Sequence, residues 1–127
     1  LDCFDPPVKV TAMSNGAGEI RVVFVMAGAA GEAENIARTL VEEQLAACAN
    51  IIGPVRSIYR WEDKIEEANE FLVMLKTRAN LYARLECRAK ELHSYQVPEI
   101  VALTLAAGSA PYLDWVLSST RPSTTIA

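Results

Sequence analysis

The chain has 127 residues, 51% of them hydrophobic and 22% charged, with a net charge of −4. These values describe one globular domain with a real core and exclude a disordered chain, which would be poor in apolar residues. They also exclude nucleic acid as a partner: Arg56, Arg60, Lys64, Lys76 and Arg78 are each diluted by acidic or neutral neighbours, and no basic patch forms.

The mean hydropathy of +0.15 is high for a small soluble monomer, so part of the apolar surface is expected to be hidden in an oligomer. The longest apolar runs, residues 22–31 and 100–108, are too short to span a bilayer, and no basic segment followed by an apolar one opens the chain. No membrane partner is expected. Cys3, Cys48 and Cys87 are odd in number, far apart and without a C-x-x-C pair. That spacing signals neither a disulfide framework nor a zinc site and points to a reducing, cytoplasmic setting.

Residues 1–19 carry Asp5-Pro6-Pro7 and Ser14-Asn15-Gly16-Ala17-Gly18, turn residues without periodicity, and read as a flexible N-terminal extension. Residues 20–26 form a near-continuous apolar, β-branched run, the pattern of a strand buried on both faces. A Gly-Ala-Ala-Gly turn follows. Glu32 and Glu34 then open a helix whose inner face holds Ile36, Ala37, Leu40, Val41, Leu45 and Cys48. Gly53-Pro54 marks a break or bulge. Val55, Ser57, Tyr59 and Trp61 alternate with Arg56, Ile58 and Arg60 in an extended strand that turns at Glu62-Asp63-Lys64. It returns through Glu66, Glu67 and Glu70 into the apolar run 71–75.

Residues 55–76 thus form a hairpin longer than one core requires, with Tyr59 and Trp61 toward its tip; such edges pair with something. Asn80 is placed to cap a helix with Leu81, Leu85, Ala89 and Leu92 inward, ending at His93. After the turn 93–99 comes a strand over 99–105. Pro111 then starts a short helix with Leu113, Val116 and Leu117 inward. Residues 121–127 read as a polar tail. The order β-α-β-β-α-β plus a final helix predicts an α+β, ferredoxin-like sandwich with helices on one face of the sheet.

That fold hosts many functions, and residues remove several of them. The first strand-to-helix loop, Ala27-Gly28-Ala29-Ala30-Gly31, has neither the C-x-x-C of a copper chaperone nor the arginine of an acyl-phosphate hydrolase. The run 71–75 lacks the stacking aromatics and basic residues of an RNA-recognition domain. No nucleophile stands near a base, so an enzyme is not predicted.

Four blocks carry a resemblance: Leu45-Ala46-Ala47-Cys48-Ala49-Asn50-Ile51-Ile52; Ser57-Ile58-Tyr59-Arg60-Trp61-Glu62 with Lys76-Thr77; residues 93–103 beginning His93-Ser94-Tyr95-Gln96-Val97-Pro98-Glu99; and Tyr112-Leu113-Asp114-Trp115. In order and spacing they resemble the CutA-type divalent-cation tolerance proteins over roughly residues 20–120. The resemblance implies a homotrimer of ferredoxin-like subunits whose long hairpins extend into neighbouring sheets, and a non-catalytic role in the response to metal ions. This chain departs from the family at three places. Val25 stands where members with a proposed copper site have a cysteine, Ser94 where proline usually follows the histidine, and Asp63 where the hairpin turn usually carries glycine.

His93, the single histidine, has two readings. One is a helix-terminal residue that caps free carbonyls. The other is a ligand, with Glu99, for weakly bound Cu²⁺ or another divalent cation, completed by a further group such as Glu66, Glu67, Tyr95 or a neighbouring subunit. Tyr59, Trp61, Glu66, Tyr95 and Gln96 are expected at the inter-subunit cleft. The alternative function is a trimeric sensor that takes a small, anionic ligand in that cleft and ignores copper.

Overall fold

A computed structural model describes residues 17–121. The elements are β1 (Ile20–Ala27), α1 (Ala30–Glu42), β2 (Cys48–Trp61), β3 (Lys64–Arg78), α2 (Tyr82–Leu92), β4 (Ile100–Thr104) and α3 (Ala110–Ser118), with 3₁₀ turns at Ala17–Glu19 and Ala79–Leu81. The four strands form one antiparallel sheet in the order β2-β3-β1-β4, the α+β, ferredoxin-like arrangement expected from the element order.

The side-chain period of two divides this sheet into unequal faces. Val23, Val25 and Ala27 of β1 and Val73 and Leu75 of β3 point to the helices. There they close a core with Ile36, Leu40, Leu81, Leu85 and Ala89, nearly all of it fully buried. The intervening residues point the other way. Across one rung stand Leu103, Val22, Lys76 and Cys48; across the next, Val101, Phe24, Met74 and Asn50. The apolar members of this outer face are only half-buried or exposed. β1 is therefore not buried on both faces by its own chain, as its unbroken apolar run had suggested.

Three boundaries differ from the sequence pattern. α1 ends at Glu42 because Gln44 takes a left-handed conformation, φ 61°, and the amides of Leu45 and Ala46 both return to the Leu40 carbonyl. Leu45 and Ala46 still enter the core, from the turn. Cys48 instead begins β2, half-exposed, its sulfur 3.5 Å from the Tyr112 hydroxyl. Asn80 does not cap α2: a 3₁₀ turn intervenes, Leu81 holds the N-cap position, and Asn80 Oδ1 is buried without a hydrogen-bond partner. At the other end, the first residue read as polar tail is tied down. The Arg121 guanidinium donates to the Glu43 carbonyl at 2.8 and 3.0 Å, and Thr120 is buried under Arg78, which also bonds the Leu117 carbonyl.

The extension expected at 1–19 lies outside the described residues except for its last three. These form the 3₁₀ turn, with Ala17 buried against Leu113 and Val116. The tail 122–127 also lies outside them. Cys48 is a free thiol, whereas Cys87 on α2 is disulfide-bonded. The cysteine spacing had signalled no disulfide, so the thiol-based reason for a reducing compartment falls away. Among the described residues no helix is long and apolar enough to cross a membrane.

The hairpin runs from the body of the domain to a two-residue turn, Glu62-Asp63, with both residues at positive φ (51° and 66°). This is the twist that a tight antiparallel connection demands, and Asp63 accepts it where glycine would be easier. The register shifts between Ile52 and Val55, at Gly53-Pro54, as the break predicted. Gly53 is required there, since a Cβ would lie 2.4 Å from the Phe71 ring.

Candidate functional site

The loop 93–99 crosses the end of β1 and faces the base of the hairpin. Its first residue is fixed most firmly. The His93 side chain has no solvent exposure; Nε2 donates to the Met26 carbonyl at 2.6 Å, and Nδ1 accepts the Tyr95 amide at 3.1 Å. A carbonyl only accepts and an amide only donates, so these partners select the neutral ring with its proton on Nε2. Met26 also receives the other end of the loop, its amide donating to the Glu99 carbonyl at 3.3 Å. One β1 residue thus anchors both ends of the turn.

Glu32, in the first turn of α1, holds the loop from behind. Its Oε2 accepts the Ser94 amide at 2.6 Å and its Oε1 accepts the Gly28 amide at 3.3 Å. Burial alone would raise the pKa of Glu32, but the bonds from Ser94 and Gly28 outweigh it. They hold its carboxyl below the usual carboxylate range. Ser94 therefore supplies an amide that a proline at this position would lack.

Tyr95 turns the other way, toward β3. Its hydroxyl donates to Glu70 Oε2 at 2.8 Å, and Glu70 is only 8% exposed. Gly28 makes this reach possible, because a Cβ there would stand 2.7 Å from the Tyr95 oxygen. Burial, then the bond and charge of Glu70, push the Tyr95 phenol up to about 12. The ring lies 4.8 Å from that of His93, tilted by 51°.

Between loop and hairpin lies a cleft of about 580 Å³, walled by Met26, Ser57, Ile58, Tyr59, Trp61, Glu70, Tyr95, Gln96, Val97 and Glu99. Tyr59, Trp61, Tyr95, Gln96 and Glu99, all named from the sequence, come together here. His93 is absent from the walls because its ring is turned inward to Met26. Glu66 is absent as well. It faces Tyr59 across the ladder nearer the tip, and β3 contributes Glu70 instead, four residues closer to the body. Glu67 is engaged outside, paired with Arg56 at 2.9 Å.

Strand alternation was the signal for two of the walls that sequence reasoning passed over. Met26 lies one residue off the helix-facing set 23-25-27, and Ser57 is two residues before Tyr59. Ile58 and Val97 had no such signal. Val25 is fully buried in the helix-side core and does not face the cleft.

The cleft carries two carboxylates and no basic side chain among its walls. It suits a cation and opposes an anion, contrary to the anionic ligand that the sensor alternative expected. Among the described residues no three His, Cys, Asp or Glu side chains gather closely enough to hold a metal ion.

The profile of the CutA1 divalent ion tolerance protein family matches residues 21–119. The chain is 46% identical over 99 residues to the divalent-cation tolerance protein CutA of Thermus thermophilus, covering 78% of this chain and 96% of that one. It is 38% identical over 121 residues to human protein CutA, covering 91% of this chain and 68% of the other. The crystal structure of CutA1 from Oryza sativa superimposes with a TM-score of 0.80 at 36% identity, over 84% of this chain and 97% of that one.

Proposed function

Because the chain belongs to the CutA1 divalent ion tolerance family, we propose that it is a non-catalytic homotrimer acting in the cell's response to divalent metal ions. The observation that carries the assembly is the unfinished outer face. Val101, Leu103 and Ile52 are 45%, 53% and 44% exposed, and on the hairpin Ile58, Trp61 and Ile65 reach 61%, 48% and 62%. Apolar area of this extent, continuous with an unpaired edge strand, is covered in a stable protein. A second and third copy, each lending its hairpin to the next sheet, cover it and turn the open cleft into one between subunits. Light scattering at micromolar concentration should give three times the 13.9 kDa subunit mass. A folded, stable single subunit would overturn the proposal.

Divalent metal binding at this cleft, with copper as the first candidate, rests on His93, whose side chain bonds Met26, and on Glu99, whose backbone carbonyl accepts from the same residue. The binding is weak for a stated reason. A metal reaches either ring nitrogen only by displacing the Met26 carbonyl or the Tyr95 amide, and a further ligand must come from another copy. Cu²⁺ titration of the wild type against His93→Ala tests this directly, and equal binding removes His93 from the site.

A further inference from the structure

We propose that the segment 122–127 of this chain folds back into the groove between α1 and the start of β2, with the Ile126 side chain as its anchor. The groove has a volume of about 420 Å³, and Ala37, Val41, Ala49 and Ile51 supply its apolar lining. It lies on the helix face of the sheet. Ala49 and Ile51 pair with Leu75 and Val73, whose side chains point to the helices. The further copies proposed above cover the opposite face, so this groove is left for a different occupant. Ala37 and Ala49 are small, and Ile51 beside them stays 44% exposed.

The chain delivers this segment to the mouth of the groove. The Arg121 amide donates to the Gln44 carbonyl at 2.9 Å, and its guanidinium donates to the Glu43 carbonyl at 2.8 and 3.0 Å. Glu43 and Gln44 lie between Glu42 and Ala47, two residues that line one end of the groove. Pro122 follows and cannot resume α3. Thr124, Thr125 and Ile126 are β-branched and favour an extended backbone. An extended chain advances about 3.3 Å per residue, so Ile126 reaches up to roughly 17 Å from Arg121. The α1 side of the groove, from Val41 back to Glu34, is about 10 Å long, well within that reach.

Groove and segment also match in chemistry. Ile126 is the one large aliphatic residue in 122–127, and seating it over Val41 and Ile51 takes apolar surface of all three out of water. On the rim Arg38 and Glu34 are engaged with each other at 3.0 Å, so the groove selects by apolar contact more than by charge. Ser123, Thr124 and Thr125 are uncharged and cross that rim without desolvating an ion.

Nuclear Overhauser contacts in the methyl-labelled full chain test the assignment. Contacts from the Ile126 methyls to those of Val41 and Ile51 are expected. Denaturant unfolding supplies a second measure. Ile51→Ala and Ile126→Ala combined should change the unfolding equilibrium constant by roughly three- to tenfold less than the product of their separate effects, because both remove one contact. Ile126 signals without such contacts, or effects that multiply without coupling, overturn the proposal. So do contacts seen only between differently labelled chains in a mixed sample, since the groove then holds the segment of a second copy.

Discussion

The two faces of the sheet are built from similar residues and end in different states. On the helix side Val23, Val25, Val73 and Leu75 are at 0% exposure, each covered by α1 or α2 from the same chain. On the outer side Val22, Phe24 and Met74 are half-buried and Val101 and Leu103 exposed, although the same strands carry them. Hydrophobicity therefore says that a residue will be covered, but the topology decides which partner covers it. The helix side is completed locally; the outer side and the hairpin wait for another molecule. The candidate site lies where the two regimes meet.

The largest contrast comes from emptying the covered side. Leu40→Ala removes a fully buried side chain and should cost about 2–5 kcal/mol in denaturant unfolding. Ile58→Asp on the hairpin should leave the stability of the single subunit within about 0.5 kcal/mol, yet abolish the threefold mass in light scattering. If both substitutions destabilise the isolated subunit equally, the division into two regimes fails.

The boundary between the regimes can be probed next. Gly53→Ala places a methyl against the Phe71 ring at the bulge and should cost about 1–3 kcal/mol by overpacking, read as a lowered denaturant midpoint. Ser94→Pro deletes the amide that Glu32 accepts and should cost about 1 kcal/mol, with the fold otherwise retained. A stabilised Ser94→Pro variant would show that proline gains more by stiffening the loop than the bond supplies.

The smallest effect is a pH dependence at the loop. The pKa of Glu32 in the folded chain lies below its ordinary value of 4.5. Its contribution is then fully present above pH 4.5 and is lost as the pH falls through the lowered folded value, because protonation removes the acceptor of the Ser94 and Gly28 amides. Glu32→Gln should flatten that part of the stability profile between pH 5 and acid unfolding. Tyr95 works at the opposite end. Its phenol is raised to about 12, so the stability tied to the neutral hydroxyl persists up to pH 10 and is lost as the pH climbs toward 12. Absorbance titration of the wild type against Tyr95→Phe should show one fewer late-ionising tyrosine.

Element types and their order were legible in the chain because each rests on a short-range period. The β-branched run at 20–26 and the helical spacing of Ile36, Ala37 and Leu40 are examples; Pro111 at the start of α3 is another. Gly53-Pro54 marked the bulge, and Glu62-Asp63 the hairpin turn, through the same local backbone chemistry. Five cleft residues were also named from the chain, since Tyr59 and Trp61 share a strand face and Tyr95, Gln96 and Glu99 share a loop.

What required the folded molecule was every relation between distant segments. Glu32 meets Ser94 across 62 positions, Tyr95 reaches Glu70 across 25, and the His93 ring turns to Met26 across 67. No local period encodes such meetings. They arise because loop 93–99 is laid over the end of β1 by the pairing of β4 with that strand. The left-handed Gln44 that ends α1 early belongs with them: its apolar neighbours Leu45 and Ala46 keep helical spacing but reach the core by folding back from the turn. A sequence records what each residue would bury or bond. The packing of the strands decides which residue arrives to satisfy it, because that choice minimises exposed area and unpaired groups over the whole chain at once.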